Sequence, residues 1–457
     1  MLKTTLPRNQ LILLIGDIAL IVIAFYLSPL FRFGVLPDIR TFLRWPDVSA
    51  IITYLLCFYI FDFYNLQERL YTLGYTVRFL VALIMADFVI GFLFYAFNVR
   101  PYATVIFLIN TILILVFCMT WRIAFIKWTR QTQKMLRVLV VGAGWAGHDL
   151  SEILRFREEF QIVGFLDDDP AKQGSQINGA RVIGNTEQLM ETIYKKDIDI
   201  VIIAITHRLN QDLYKRLIDV KMQGIVVYEM PTFCEVVFGK IPVQHISDLW
   251  FIYIPISGVR KTVFNQKIKR ILDIVLSLAG LIIVSLPALL IALAIKIDSP
   301  GPVFYVQRRI GWKGQPFNLI KFRSMKDGLE NERQFAGDKN DPRITRVGRV
   351  IRLFRLDELP QMLNVVRGEI SFIGPRALME KEVTEFAPQI PHFSLRHSIR
   401  PGITGWAQVN YPHGATVKDA LAKLEYDLYY IKNLSPLLDL IILAKTIRIV
   451  LFGQGAR

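Results

Sequence analysis

Hydrophobic residues fall along this chain in blocks whose length changes from one region to the next. Four apolar runs fill the first quarter, at about residues 10–31, 48–64, 78–97 and 102–121. Each approaches the roughly 20 residues a helix needs to cross a bilayer, the second only just. The first is too long for a signal-peptide core and lacks a small-residue cleavage site, so it reads as an uncleaved membrane helix. From residue 137 the apolar runs shorten. RVLVVGAGWAGHDL (137–150), QIVGFLDDDP, DIDIVIIAI and GIVVYEMP are compact strands separated by helical stretches, which predicts a parallel α/β domain over 137–255. A fifth long block, 271–297, carries Pro287 near its middle. The remainder is charged and punctuated by Gly and Pro. Near its end LSPLLDLIILAKTIRIVLF (434–452) is apolar but holds Asp439, Lys445 and Arg448, which predicts an amphipathic helix on a membrane surface.

The pattern predicts a membrane α plus α/β fold in three parts. A four-helix transmembrane bundle occupies 1–130. A Rossmann-like parallel α/β domain, of the CoA- or nucleotide-binding kind, occupies 137–255. A mainly α domain occupies 264–457, with a helix over 268–297 that enters the membrane and returns. Charge supports that last feature. Lys267, Lys269 and Arg270 precede the block, and Lys296, Arg308, Arg309 and Lys313 follow it. A full crossing would leave one basic group outside; a break at Ser285-Leu286-Pro287, where proline removes a backbone donor, keeps both in the cytoplasm. A Pro-kinked span is the plain alternative. Lys3 and Arg8 before the first run, and Arg122, Lys127, Arg130, Lys134 and Arg137 after the fourth, put both ends of the bundle on the cytoplasmic side; Arg32, Arg40 and Arg44 run mildly against this. The expected location is the bacterial inner (cytoplasmic) membrane, with the C-terminal domain facing the cytoplasm.

Composition narrows the function. The chain of 457 residues is 53% hydrophobic and has a net charge of +15, which suggests anionic lipid or a phosphate-rich substrate. Three scattered cysteines and six histidines without HxxxH or HExxH spacing spell out neither disulfides nor a zinc site. Asp17, Asp62 and Asp87 lie in or near the apolar helices. A carboxylate at the bilayer centre costs on the order of 2.5–3.5 kcal/mol, so these read as polar contacts between helices rather than a transport path.

Between residues 308 and 355 there are 13 Lys or Arg against five Asp or Glu, spread across turns rather than along one helix. That suits a pocket where guanidinium groups fork onto phosphate oxygens. Nucleic acid is a poor partner for a membrane-embedded chain without a nucleic-acid motif. In this basic frame Asp357 and Glu358 stand side by side, just before a helix beginning near Pro360. One reading is a helix cap. The other is chemistry: helix-start N–H groups attract phosphate, and arginines with a divalent metal would let a carboxylate attack phosphorus.

Several ordered motifs then resemble one family. SPGPVFYVQRRIG, KFRSM, DPRITRVGRVIR, LDELPQMLNVVRGEISFIGPR and RPGITGWAQV are similar to the bacterial sugar transferases, polyprenyl-phosphate phosphoglycosyltransferases of the monotopic type. The likeness covers about 264–457, and the whole layout resembles the long members. It implies that Asp357 attacks the β-phosphate of a UDP-sugar, releasing UMP and leaving a phosphosugar on the enzyme. Undecaprenyl phosphate then takes the phosphosugar, initiating O-antigen, capsule or exopolysaccharide units. It also implies that Glu358 handles protons or positions the acceptor. Mg²⁺ (or Mn²⁺) would bridge Asp357 and the diphosphate. Lys321, Arg323, Arg376 and Arg400 would contact phosphate or uridine, and Gln307 and Arg309 match a Q-x-R-x-G element. The sugar is expected to be glucose or galactose, and the partners include membrane lipids and a homodimer. Two departures stand out: Pro375-Arg376-Ala377 replaces Pro-Arg-Pro, and Leu286 separates Ser285 from Pro287, where the family's helix break has a Ser-Pro pair.

Gly142, Gly144 and Gly147 form G-x-G-x-x-G between a strand and a helix, with Asp167 twenty residues on, the setting of a dinucleotide site. Binding of NAD or another nucleotide stands beside a purely structural use of the fold. Competing functions are a membrane-tethered nucleotide-sugar dehydratase or epimerase and a nucleotide-sensing scaffold. None of the 17 tyrosines has a lysine four residues on, which counts against the former.

Overall fold

A computed structural model describes residues 8–38, 45–61, 63–64, 73–97, 104–132, 135–157, 159–206, 209–246, 256–259, 262, 267–326, 343–412, 414 and 416–452. Lys3, Arg40, Arg44, Asp62, Lys134, the first two residues of DPRITRVGRVIR and much of the link before residue 267 lie outside them. The chain forms two compact units, 1–134 and 135–457.

In the first unit α1 (Arg8–Phe33), α2 (Trp45–Ile60), α3 (Leu73–Ala96) and α4 (Thr104–Thr132) pack around Leu13, Tyr54, Phe58, Phe79 and Phe125. Among the described residues, α1, α3 and α4 contain stretches long and apolar enough to cross a membrane. With 16 residues, α2 spans only about 24 Å, short of the roughly 30 Å hydrocarbon core. The outward face of α3 carries Ile84, Phe88, Phe92 and Tyr95, a helix apolar on both sides as a lipid-facing one must be. The aspartates sit inside. Asp17 pairs with Arg122, both fully buried, and Arg122 also donates to the Phe63 carbonyl at 2.5 Å. Asp87 accepts from Tyr54 and, at 2.8 Å, from Thr111. These are contacts between helices, as a carboxylate in an apolar interior requires.

The second unit begins with a six-stranded sheet in the order β3-β4-β2-β1-β5-β6. Its elements are β1 (Leu136–Val141), α5 (Trp145–Leu154), β2 (Phe160–Leu166), β3 (Gln176–Ile177), β4 (Ala180–Gly184), α6 (Leu189–Lys196), β5 (Ile200–Ile203), α7 (Gln211–Met222), β6 (Val226–Glu229) and α8 (Met230–Phe238). Pairing is parallel except for β3 with β4. Val138 and Val140 of β1 enter one core with Leu150 and Phe233, and Leu139 and Val141 enter another with Leu189 and Leu217. Helices on both faces of a parallel sheet explain why these strands read as unbroken apolar runs.

The C-terminal part comprises α9 (Lys269–Ile283), α10 (Ser285–Asp298), β7 (Phe304–Ile310), β8 (Pro316–Phe322), α11 (Arg346–Leu353), α12 (Gln361–Arg367), β9 (Ser371–Ile373), α13 (Glu380–Phe386), β10 (Gly402–Thr404), α14 (Trp406–Asn410), α15 (Val417–Asn433) and α16 (Pro436–Phe452). β7 and β8 form an antiparallel hairpin, and β9 and β10 pair in parallel. The segment after α8 buries Ile241 and Val243 in the core of this part, beside Leu424 and Leu428 of α15. Lys240–Glu425 (3.0 Å) and Lys432–Glu235 (2.5 Å) cross the same junction.

The apolar block 271–297 is two helices bent by 61°. The break falls at Val284, and Pro287 sits in the first turn of α10, where its missing N–H costs nothing. Ser285 donates to the Ile282 carbonyl across the bend at 2.8 Å. Along α9 the polar residues face the protein. Arg270 donates to the Val365 and Val366 carbonyls (2.6 and 2.8 Å), Asp273 accepts from Ser371 and Phe372, and Ser277 is buried. Ile271, Val275, Ile282, Leu286 and Leu290 point outward. α16, expected as an amphipathic helix on a membrane surface, repeats this inversion. Its Asp439 is buried against Lys269 and Tyr430, and Lys445 reaches Asn410, while Leu437, Leu440 and Ile447 are exposed.

Candidate active site

The hairpin β7–β8 sets the floor of the site. Side chains alternate across a strand, so Gln307 and Arg309 share a face with Leu319 and Lys321 of the partner strand. Arg355 adopts the left-handed conformation (φ 54°), and a tight helical turn, Leu356–Glu358, follows and leads into α12. Asn364, fully buried on α12, accepts from the Ile320 N–H (3.0 Å) and donates to the Asn318 carbonyl (2.7 Å), which clamps α12 to β8. Neither Asp357 nor Glu358 caps a helix through a side-chain hydrogen bond.

The two carboxylates have different surroundings. Glu358 Oε1 receives both Lys321 Nζ and Arg376 Nη2 at 3.2 Å. Burial would raise its pKa, but the charges of Lys321, Arg376 and Arg355 outweigh burial and hold it well below the usual carboxylate range. Asp357, also partly buried, makes no ion pair or hydrogen bond among the described residues. Burial, aided by the neighbouring Glu358 charge, raises its pKa against the pull of Lys321, Arg352 and Arg376. Glu358 is therefore a fixed anion locking two cations, and Asp357 is an available oxygen nucleophile or ligand beside them. Lys321 is lowered by burial, with Glu358 opposing.

Further contacts hold the cations. Gln307 Oε1 accepts from Arg309 Nε (3.0 Å) and Nη2 (2.6 Å). Arg309 also donates to the Ala377 carbonyl at 3.2 Å, and burial beside Arg376 pushes its pKa down to about 10. The Arg376 carbonyl accepts from Arg396 (3.3 Å), which is itself buried against Asp427 at 2.8 Å. Sequence reasoning missed Arg396, Asp427 and Asn364. A signal existed for Asp427: it lies on the apolar face of α15, near Ala420, Leu424 and Ile431 in helical spacing, where a carboxylate implies a buried partner. The glycines of FIGPR and RPGITG have a steric reason. A Cβ on Gly402 would fall 2.0 Å from Gly374 N, so only glycines let β9 and β10 cross there and project Arg376 toward Glu358.

Gln307, Arg309, Lys321, Asp357, Glu358 and Arg376 thus converge. Arg323 and Arg400 do not join them. Arg323 is buried and donates to the Ser299 and Pro300 carbonyls (2.8 and 2.6 Å), so it staples β8 to the end of α10. Arg400 donates to the Gly368 carbonyl (3.0 Å) and lies over the Trp312 ring.

Two family models match parts of the chain. Residues 264–453 match the model of the bacterial sugar transferase family, and 59–231 match that of a CoA-binding domain. The exopolysaccharide production protein PSS of Rhizobium leguminosarum bv. phaseoli is 40% identical over 186 residues, which cover 39% of this chain and 93% of that protein. The chain belongs to the bacterial sugar transferase family. Among longer relatives, the UDP-N-acetylgalactosamine-undecaprenyl-phosphate N-acetylgalactosaminephosphotransferase of Aeromonas hydrophila is 41% identical over 234 residues, 51% of this chain and 54% of that one. The UDP-glucose:undecaprenyl-phosphate glucose-1-phosphate transferase of Escherichia coli (strain K12) is 36% identical over 327 residues, 68% of this chain and 66% of that one. The chain therefore spans about half to two thirds of these longer relatives.

In this sugar transferase the Gly-rich loop of the α/β domain borders a separate cavity of about 320 Å³. Gly142, Gly144 and Asp167 line it, and Gly147 packs against the Gly142 carbonyl. Asp167 accepts from the Ala143 N–H within the loop (2.7 Å) and pairs with Lys172 (3.3 Å). Asp168 and Asp169 line the same space.

Proposed function

We infer that the protein transfers a sugar-1-phosphate from a UDP-sugar to undecaprenyl phosphate, with Asp357 as the nucleophile. The observation that carries this is the asymmetry of the dyad: Glu358 is neutralised by two cations, and Asp357 is unpaired beside them. An Asp357 carboxylate oxygen attacks the β-phosphorus, and the bond from that phosphorus to the bridging oxygen breaks, releasing UMP. The acyl phosphate so formed is attacked at phosphorus by an oxygen of undecaprenyl phosphate, which returns the carboxylate. Lys321, Arg376 and Arg309 supply positive charge for the phosphoryl oxygens. Glu358, held ionised, acts by positioning those cations rather than by storing a proton.

A divalent ion suits the free Asp357 carboxylate. Mg²⁺ takes one or two carboxylates along with substrate phosphate oxygens, and Asp357 is the residue that would hold it. When bound it would neutralise charge on the diphosphate. The Gly-rich loop fits a diphosphate poorly: Asp167 already takes the Ala143 N–H, and Lys172 stands alone against three aspartates. We therefore assign that domain a packing role against the catalytic part and derive no step from it.

The bent pair α9–α10 enters the cytoplasmic leaflet and returns, supported by the basic residues at both ends and the outward apolar face. The catalytic part then faces the cytoplasm of the bacterial inner membrane, where UDP-sugars are made.

The test uses purified full-length protein, a panel of UDP-sugars labelled in the β-phosphate and in the sugar, and undecaprenyl phosphate. UMP release and labelled lipid are expected for one or more sugars, with label retained on the protein when acceptor is omitted. Asp357→Asn should abolish all three signals. UMP release by that variant at the wild-type rate would refute the covalent route.

A further inference from the structure

A cleft of about 730 Å³ opens beside the turn joining β7 to β8. Arg308, Trp312, Lys313, Phe317, Gly368 and Glu369 are among its lining residues, and Asp357, Glu358, Lys321 and Arg376 are not. The transfer chemistry described above leaves it unused.

Lys313 and Arg400 make no ion pair among the described residues, whereas Arg308 pairs with Glu380 at 3.6 Å. Trp312 is 40% exposed and anchored by its indole N–H on the Ser398 carbonyl (3.2 Å). Lys313 Nζ lies 4.7 Å from the centre of the indole, and the Arg400 guanidinium lies 4.8 Å from it. Arg400 uses only Nε, on Gly368, so its remaining N–H groups and the Lys313 ammonium have no acceptor among the described residues. Glu369, the acidic residue lining the cleft, turns its Oε2 to Asn364 (2.6 Å). Burial and then the charge of Arg270 disfavour the protonated form of Arg400, so like charges stand close together here. The turn also holds Lys313 at φ 55°, a conformation that strains a lysine. The unopposed charge is a cost that a bound anion offsets.

We propose that this cleft binds the phosphate of an anionic phospholipid headgroup. The source is argued from position. Gly368, on the cleft wall, lies against Arg270: a Cβ there would be 3.3 Å from its guanidinium nitrogen. Arg270 is the second residue of α9, and the exposed Ile271, Leu272 and Val275 follow at once. The cleft therefore opens where α9 turns apolar, the depth at which tryptophan, lysine and arginine gather around headgroups. Phosphate bound there anchors the catalytic part at a fixed height. The inference rests on the proposed membrane insertion of α9 and α10, not on the transfer reaction.

The experiment titrates full-length protein in detergent with dioctanoyl phosphatidylglycerol, dioctanoyl phosphatidylcholine and inorganic phosphate, followed by calorimetry. Phosphatidylglycerol should bind saturably, the zwitterionic lipid at least about tenfold more weakly, and inorganic phosphate should fail to displace the anionic lipid. Lys313→Asn removes the charge with a residue that tolerates the left-handed backbone. It should weaken phosphatidylglycerol about tenfold, the loss of one charge-assisted contact. Lys215→Asn, an exposed lysine on α7, should leave binding unchanged. Wild-type affinity in Lys313→Asn, an equal loss in Lys215→Asn, or inorganic phosphate binding as tightly as the lipid would each overturn the proposal. Because binding is read in detergent, failure of the cleft is separable from failure of membrane insertion, which cysteine labelling reports.

Discussion

Glu358→Gln tests the reading of the dyad most sharply. At an effective dielectric near 20, a unit charge pair at 3.2 Å is worth roughly 5 kcal/mol, and Glu358 makes two such contacts. Removing one partner of a buried pair costs about 3–5 kcal/mol. Glutamine keeps the shape and an acceptor oxygen, so the lower end, about 3 kcal/mol, is expected. For a unit of this size that lowers the thermal midpoint by about 5 °C. The pH dependence follows from the charges. The pKa of Glu358 is depressed in the fold, so its stabilisation is complete above its ordinary value of 4.5 and is lost as pH falls through the folded value. Between pH 6 and 9 the carboxylate stays ionised. Lys321, lowered by burial and sustained by Glu358, loses that support in the variant. UMP release by Glu358→Gln should therefore fall about 100-fold, on the scale of losing one preorganised cation. Its alkaline limb should also begin at lower pH than in the wild type. The assay is UMP release and thermal unfolding of the full chain in detergent, in steps from pH 6 to 9. A variant with the wild-type midpoint and alkaline limb would refute the view that Glu358 works by holding Lys321 and Arg376.

Asp357→Asn should unfold at the same temperature as the wild type or slightly higher, because it removes an unpaired, partly buried charge; a large drop would mean that Asp357 is a structural ligand. Asp427→Asn leaves Arg396 buried without its partner, at about 3 kcal/mol. It should lower both stability and the apparent affinity for UDP-sugar, through Arg376, and unchanged affinity would disconnect the pair from the site. Gly402→Ala drives a Cβ into Gly374 N and should cost about 3 kcal/mol or prevent folding of the C-terminal part, read by expression and thermal melts. Cysteines placed at Lys267 and Lys296 should react with impermeant reagent only from the cytoplasmic side; periplasmic labelling of either one excludes the return of α9–α10.

Much of the fold was legible because short- and long-period apolar patterns have different causes. Strands buried on both faces give runs such as RVLVV, and membrane-length runs give α1, α3 and α4. The dyad was legible because two carboxylates in an arginine-rich segment have few uses. Arg323 was grouped with Lys321 because both fall in the motif KFRSM that carries the resemblance. β8 ends at Phe322, however, and the chain turns there, carrying Arg323 to the end of α10. Arg400 shares a motif with glycines that shape the site, yet its own side chain leaves for Trp312. The sequence showed that α16 carries charges among apolar residues but not which way they face. Asp439 and Lys445 face the protein, where they find polar partners.

Local pattern alone marked α1, α3 and α4 as membrane-length helices, showed which segments are buried strands, and put Asp357 and Glu358 in a cationic frame. Those features depend on neighbours in sequence: periodicity, run length and turn residues. Tertiary structure alone decided which carboxylate is neutralised and which is free. That choice depends on Lys321, 37 residues before Glu358, and Arg376, 18 residues after it, meeting the same oxygen. Charge pairing acts across space at a few ångströms, and no one-dimensional spacing encodes it.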